Sequence, residues 1–139
     1  MHIAYALVGD ELCVAILSDD FAKLTLLLKD GNNPDGRCKL FGTPLQAAVA
    51  TNQEEMVRLL LSYDANPSLK GGKYGTPLIA ATVGSRQKII KILLKHRADV
   101  FASNPQYVNA LYQAVGKGDI AIATMLLEAG AWMGREYGE

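Results

Sequence analysis

Leucine and alanine recur along this chain at one fixed interval. Leu12, Leu45, Leu78 and Leu111 form a column, each 33 residues from the next, and Ala15, Ala48, Ala81 and Ala114 form a second. Leu27, Leu60, Leu93 and Leu126 make a third, and Leu28, Leu61, Leu94 and Leu127 a fourth. A period in this range marks a stacked solenoid, in which a unit buries its apolar face only against its neighbours.

One unit can be read from residue 42 onward. Thr43 is an N-cap whose hydroxyl can accept from a backbone N–H one turn in, and Pro44 takes the first helical position, where its missing N–H costs nothing. The spacing predicts a short, alanine-rich helix over 44–50, with Asn52 and, in the next copy, Gly84 as left-handed terminators. A second helix is predicted over 54–63. Glu54 and Glu55 fall in its first turn, where the helix dipole favours acid. Met56, Val57, Leu60 and Leu61 give it one apolar face, and Ile89, Ile90, Leu93 and Leu94 repeat that face in the third copy. The helix ends near Asp64, whose counterparts are Gly31, Arg97 and Gly130. Residues 65–74 carry Pro67 and Gly71-Gly72 and read as an extended, hairpin-like loop.

These motifs resemble the ankyrin repeat family. Thr43-Pro44-Leu45-Gln46-Ala47-Ala48 and Thr76-Pro77-Leu78-Ile79-Ala80-Ala81 are similar to its Thr-Pro-Leu-His-x-Ala-Ala signature. Leu59-Leu60-Leu61 with Asp64-Ala65-Asn66-Pro67 looks like its Leu-Leu-Leu…Gly-Ala-Asp/Asn segment. Gly71-Gly72-Lys73-Tyr74-Gly75 is similar to the Gly-Gly-x-Tyr-Gly variant common in fungal ankyrin arrays. The resemblance covers about residues 10–133. It implies an all-α helix-turn-helix solenoid of about four repeats (9–41, 42–74, 75–107 and 108–139) with projecting hairpin loops, the first and last being divergent caps of a single domain over 1–139.

The departures lie at the ends. The first copy opens Asp10-Glu11-Leu12 and the fourth Asn109-Ala110-Leu111, and Lys23 stands where later copies carry Met56, Ile89 and Ile122. Terminal repeats turn polar where no neighbour covers them. The last copy does so poorly: Met125, Leu126, Leu127, Trp132 and Met133 form an apolar tail, and Tyr137-Gly138 resembles the opening of a further unit. A stretch of a longer array and an end covered by something else both stay open.

Composition adds little to this picture. Half of the 139 residues are hydrophobic and 20% are charged, which is globular composition. Lys plus Arg balances Asp plus Glu at 14 each, so net charge points to neither nucleic acid nor membrane. The apolar run 3–8 is too short to span a bilayer and makes a poor signal peptide. Cys13 and Cys38 lack metal-ligand spacing; two reduced thiols in an intracellular protein, cytoplasmic or nuclear, is the plainer expectation, although a secreted solenoid could pair them. His2 is terminal, and His96 sits between Lys95 and Arg97 at a helix end, where the dipole explains a basic residue. Gly71-Gly72 is a turn, not a phosphate cradle. No catalytic group, metal or cofactor is expected.

Two surface features remain. Phe41, Tyr74 and Tyr107 form an aromatic column just before each first helix; the rings either pack on neighbouring loops or anchor a partner. The family resemblance implies a concave binding surface of loops and first helices. On this chain that places partner contacts at Lys39, Leu40, Phe41, Thr51, Tyr63, Lys70, Lys73, Tyr74, Val83, His96, Gln106, Tyr107 and Lys117. Charge is also uneven. Residues 65–98 hold seven basic side chains and no acid, whereas residues 1–36 hold six acids against Lys23 and Lys29. Lys88, Lys91 and Lys95 share one exposed face of a second helix, away from the groove, as a solvated face, as steering for an acidic partner, or as the basic side of a head-to-tail contact with an acidic end. Non-catalytic recognition of a protein through groove and loop tips is therefore expected. A small-molecule or enzymatic site on the concave face and weak self-association through the C-terminal end are the alternatives.

Overall fold

The computed structural model describes residues 11–131. His2, the apolar run 3–8, Asp10, Trp132, Met133 and the Tyr137-Gly138 pair lie outside them. Eight helices in four helix-turn-helix pairs make up the described part: α1 (Glu11–Leu17) with α2 (Phe21–Lys29), α3 (Pro44–Ala50) with α4 (Glu54–Ser62), α5 (Pro77–Val83) with α6 (Gln87–Lys95), and α7 (Ala110–Gly116) with α8 (Ile120–Glu128). Before α7 the loop closes a short antiparallel hairpin, β1 (Ser103–Asn104) with β2 (Val108–Asn109). The all-α solenoid expected from the columns is what the chain forms.

The starts of α3, α5 and α7 are set by side-chain caps. Thr43 Oγ1 accepts from Gln46 N at 3.1 Å and Thr76 Oγ1 from Ile79 N at 3.2 Å. Asn109 does the same for Tyr112 N at 2.8 Å, so the departure from Thr-Pro keeps the cap. The turn inside each pair needs one left-handed residue, supplied by Asp19, Asn52, Ser85 and Gly118 with φ between 55° and 70°. Asn52 thus terminates α3 as expected, but Gly84 does not terminate α5. Gly84 keeps a helical φ of −86° as C-cap, and Ser85, one residue on, takes the left-handed turn. A glycine beside the required position misdirected the reading. The second helices all end on left-handed residues as expected, at Gly31, Asp64, Arg97 and Gly130.

First helices stack on first helices, α1 to α3 to α5 to α7, and α4, α6 and α8 stack behind them. Leu12, Leu45, Leu78 and Leu111 are each about 1% exposed, and one core cluster runs from Leu12 to Ala131. Lys23 is exposed where Met56, Ile89 and Ile122 are buried, so the first pair does turn polar on its uncovered side. At the other end the expectation needs correction. Leu126 is fully buried and Met125 packs against the core; Leu127 is the residue that faces water, 53% exposed. The third column points inward in every pair, and the fourth loses its cover at the last one.

The cysteine expectation is overturned. Cys13 on α1 and Cys38 before the first loop tip are joined as a disulfide, both buried, with Cα atoms 5.7 Å apart, within the span that a disulfide bridges. The two lie 25 residues apart, and only the folding of the loop back over α1 brings them together.

Two stability measurements test the stack. Leu93→Ala should cost about 2–5 kcal/mol in urea denaturation, the range for a fully buried leucine whose site cannot collapse; a loss under about half a kcal/mol would place α6 elsewhere. Cys38→Ser should cost about 3 kcal/mol under oxidising conditions, as expected for the loop that this crosslink closes. In dithiothreitol, wild type and variant should unfold at nearly the same urea concentration.

Candidate binding surface

Each of α3, α5 and α7 is preceded by a tight hairpin, and the hairpins touch one another. Cys38 N donates to Gly42 O at 3.1 Å and Gly42 N to Cys38 O at 2.7 Å; one repeat later Gly71 N donates to Gly75 O at 2.9 Å. Gly42 and Gly72 have φ of 89° and 66°. A Cβ on Gly42 would overlap the backbone of Gly71 and Gly72, and one on Gly72 would overlap that of Phe41. Glycine is required at both for conformation and for close approach. The result is a row of hairpins in backbone contact.

Gln46 locks this row to the helices. Its Nε2 donates to Gly71 O at 2.7 Å and Gly75 O at 3.3 Å, tying α3 to the base of the second hairpin. Gln46 and Gly71 are separated by 25 residues, the same separation as Cys13 and Cys38, and they are those cysteines' counterparts one repeat on. The disulfide and the amide therefore fasten the same joint in successive repeats. Farther along the loops, Asp35 Oδ1 accepts from Asn66 N and Ser68 Oγ from Asp99 N, each at 2.8 Å, linking neighbouring repeats at equivalent places.

The expected contact residues fall into three groups. Lys39, Leu40 and Phe41 form the first hairpin tip, Lys73 and Tyr74 the second, and Gln106 and Tyr107 the third, with Lys70 just before the second. Leu40 is 60% exposed, and Lys39, Lys70, Lys73 and Gln106 are also exposed. Phe41 and Tyr74 pack partly on the core. The Tyr74 and Tyr107 rings lie 5.3 Å apart at 40°, and Lys73 Nζ sits 5.4 Å from the Tyr74 centroid, within cation–π range. The aromatic column thus does part of the packing, and all three rings stay partly exposed.

Thr51, Val83 and Lys117 form a second group at the C-terminal ends of first helices. They lie one helix length, about 10 Å, from the hairpin end. Thr51 Oγ1 donates to Ala47 O at 2.7 Å. Lys117 Nζ donates to Val83 O at 2.6 Å and to Ser85 Oγ at 2.8 Å, capping the preceding first helix across the repeat boundary. Tyr63 and His96 are the C-caps of α4 and α6; Tyr63 is half-buried against the core and His96 exposed. Sequence reasoning missed Gln46 as the residue that positions the hairpins. Its signal was in the sequence, because it shares a column with Cys13.

Among the described residues no three His, Cys, Asp or Glu side chains gather as a metal site would require, and no helix is long and apolar enough to cross a membrane. What the surface offers is a row of exposed aliphatic, aromatic and cationic side chains on a backbone held by hydrogen bonds. No curated protein matches the chain. The family model described as ankyrin repeats (3 copies) matches residues 12–104, which span the first three helix pairs and the start of the third hairpin. Repeats of this kind are generally non-catalytic protein–protein interaction modules. With two thirds of its length under that match and its helix pairs stacked in register, the chain belongs to the ankyrin repeat family.

Proposed function

We propose that the chain is a non-catalytic recognition module that grips a protein partner through its hairpin tips and the adjoining first-helix face. The observation that carries this reading is the contrast at the hairpins: Leu40 and the tip lysines stand exposed on a backbone that Gln46, the disulfide and the paired glycines hold in place. A preordered surface loses little conformational entropy on binding, so a modest contact area can give useful affinity. Lys39, Lys70 and Lys73 favour a partner with carboxylates near its anchor residues.

Affinity capture from native extract, followed by mass spectrometry, should return a partner whose recovery drops at least about tenfold with Lys73→Ala or Tyr107→Ala. Lys29→Ala, a charge-matched change on α2, should leave recovery unchanged. Melting curves for each variant separate lost contact from lost packing, since Tyr107 stacks on Tyr74. Turnover of a small substrate by the purified protein, abolished by one hairpin substitution, would replace this reading with the enzymatic alternative.

Weak self-association through the last helix pair is a second reading. Tyr112, Val115, Ile120 and Leu127 are each at least half exposed there, with Ile120 at 78%. Clustered apolar surface of this kind favours cover by another surface. Sedimentation velocity should show concentration-dependent association that Leu127→Glu weakens without loss of helical signal; a monomer at every concentration would refute it.

A further inference from the structure

The outer helices carry a further apolar column that the core covers unevenly. Leu26, Leu59, Ile92 and Met125 follow one another at the repeat interval on α2, α4, α6 and α8. Leu26 is 60% exposed, Leu59 and Met125 are partly buried, and Ile92 is buried in the core. Over α4, α6 and α8 lies an open groove of about 750 Å³; Ile92, Leu94 and Met125 give its apolar lining, Arg58, Lys88, Lys91 and Lys95 its cations, and Glu54 and Glu128 its acids.

Helix stability accounts for Lys95, in the last turn of α6, but not for Lys88 in the first. In α4 the first turn carries Glu54 and Glu55, matched to the helix dipole, and Glu54 pairs with Arg58 at 2.9 Å. The equivalent positions in α6 are Gln87, Lys88 and Lys91. The acids are gone, and a cation stands in the first turn, where the dipole disfavours it. Arg58–Glu54 is the one ion pair among the described residues, so Lys88, Lys91 and Lys95 have no carboxylate partner there. Three unpaired ammonium groups along one helix thus border an apolar floor.

We propose that this groove is a second docking surface, separate from the hairpins, and that its occupant is an acidic amphipathic helix of another protein. Apolar residues of that helix would lie over Leu94, Met125 and the small exposed part of Ile92, and its flanking carboxylates would meet the three lysines. A helix fits because grooves between packed helices accept the ridges of another helix. The occupant must be amphipathic as well as acidic: Glu54, paired with Arg58, and Glu128 also line the groove, and Glu128 would repel a uniform polyanion.

The test uses a fluorescein-labelled 18-residue helical peptide with leucine on one face and glutamate on both flanks, read by fluorescence anisotropy on the full chain. Binding in the micromolar range is expected, weakening as salt is raised. Lys91→Glu/Lys95→Glu should lower affinity at least about tenfold, Lys91→Ala/Lys95→Ala should lower it less, and Met125→Gln should lower it at constant charge. Circular dichroism confirms that each variant keeps its helices. Lys73→Ala should change nothing, which keeps the outcome apart from that of the hairpin reading. Equal binding of a peptide with lysine in place of glutamate, or indifference to the lysine variants, overturns the proposal. So does equal binding of poly-glutamate or of phosphatidylserine vesicles, which would reduce the face to general anion attraction. Loss of self-association in the Lys91→Glu/Lys95→Glu variant, with no peptide binding to wild type, would also overturn it by making a second copy the occupant.

Discussion

Leu27, Leu60, Leu93 and Leu126 hold this chain together because the second helices are only nine residues long. Helices of that length do not persist in water on propensity alone. Each needs its apolar stripe covered, and the nearest cover is the next copy of itself. The inner helices are shorter still, at seven residues, and carry alanine where they meet, so that successive units come close enough for the leucines to interlock. A solenoid built this way is stable in proportion to its interfaces rather than its units.

Stacking also dictates the loops. Once the helix pairs are in register, the hairpins are forced side by side, close enough that Gly42 and Gly72 admit no side chain. Hairpins in backbone contact still need an anchor to the helices. The chain uses two chemistries at the same joint, a disulfide in the first repeat and the Gln46 amide in the second. The third copy has Ile79 at that position and closes its hairpin with ladder bonds, and the Asn104 side chain accepts from Gln106 N and Tyr107 N. The hairpin row therefore has a different fastening at each step, and Lys39, Lys73 and Gln106 ride on it.

Most of this architecture was legible because burial repeats with the period. The cap at Thr43, the bounds of α3, the apolar face of α4 and the exposure of Lys23 all follow from one residue and its counterparts a repeat away. What resisted reading has a common cause. The Cys13–Cys38 link joins a helix to a loop that returns over it, and no residue-by-residue pattern marks that return except the parallel with Gln46 and Gly71. Leu126 and Leu127 are identical neighbours in sequence, and only the helix phase sends one inward and leaves the other in water. Gly84 attracts the eye as a terminator, whereas the turn geometry selects its successor. The hairpin lysines could be placed at loop tips from sequence, but Lys117 could not be seen capping α5 from the next repeat, because that contact crosses a repeat boundary through a long, flexible side chain.

Val108 shows how far the repeat tolerates exceptions and why. Its counterparts Gly42 and Gly75 have φ of 89° and 86°, and Val108 itself has φ of 67°, a region that β-branched residues rarely enter. In the first two hairpins a side chain there would strike the next hairpin: Gly71 and Gly72 at Gly42, and Asn104 at Gly75. Among the described residues no further hairpin follows the third, so that steric demand lapses and only the backbone preference remains. Conformational strain of this kind is of order 1–2 kcal/mol, which the Val108 pairing to Asn104 and the capped start of α7 can hold in place. Two separate demands, one from the backbone and one from the neighbour, thus coincide at Gly42 and Gly75 and come apart at Val108. At Gly42 the neighbour's demand comes from rigid backbone, and at Gly75 from the Asn104 side chain.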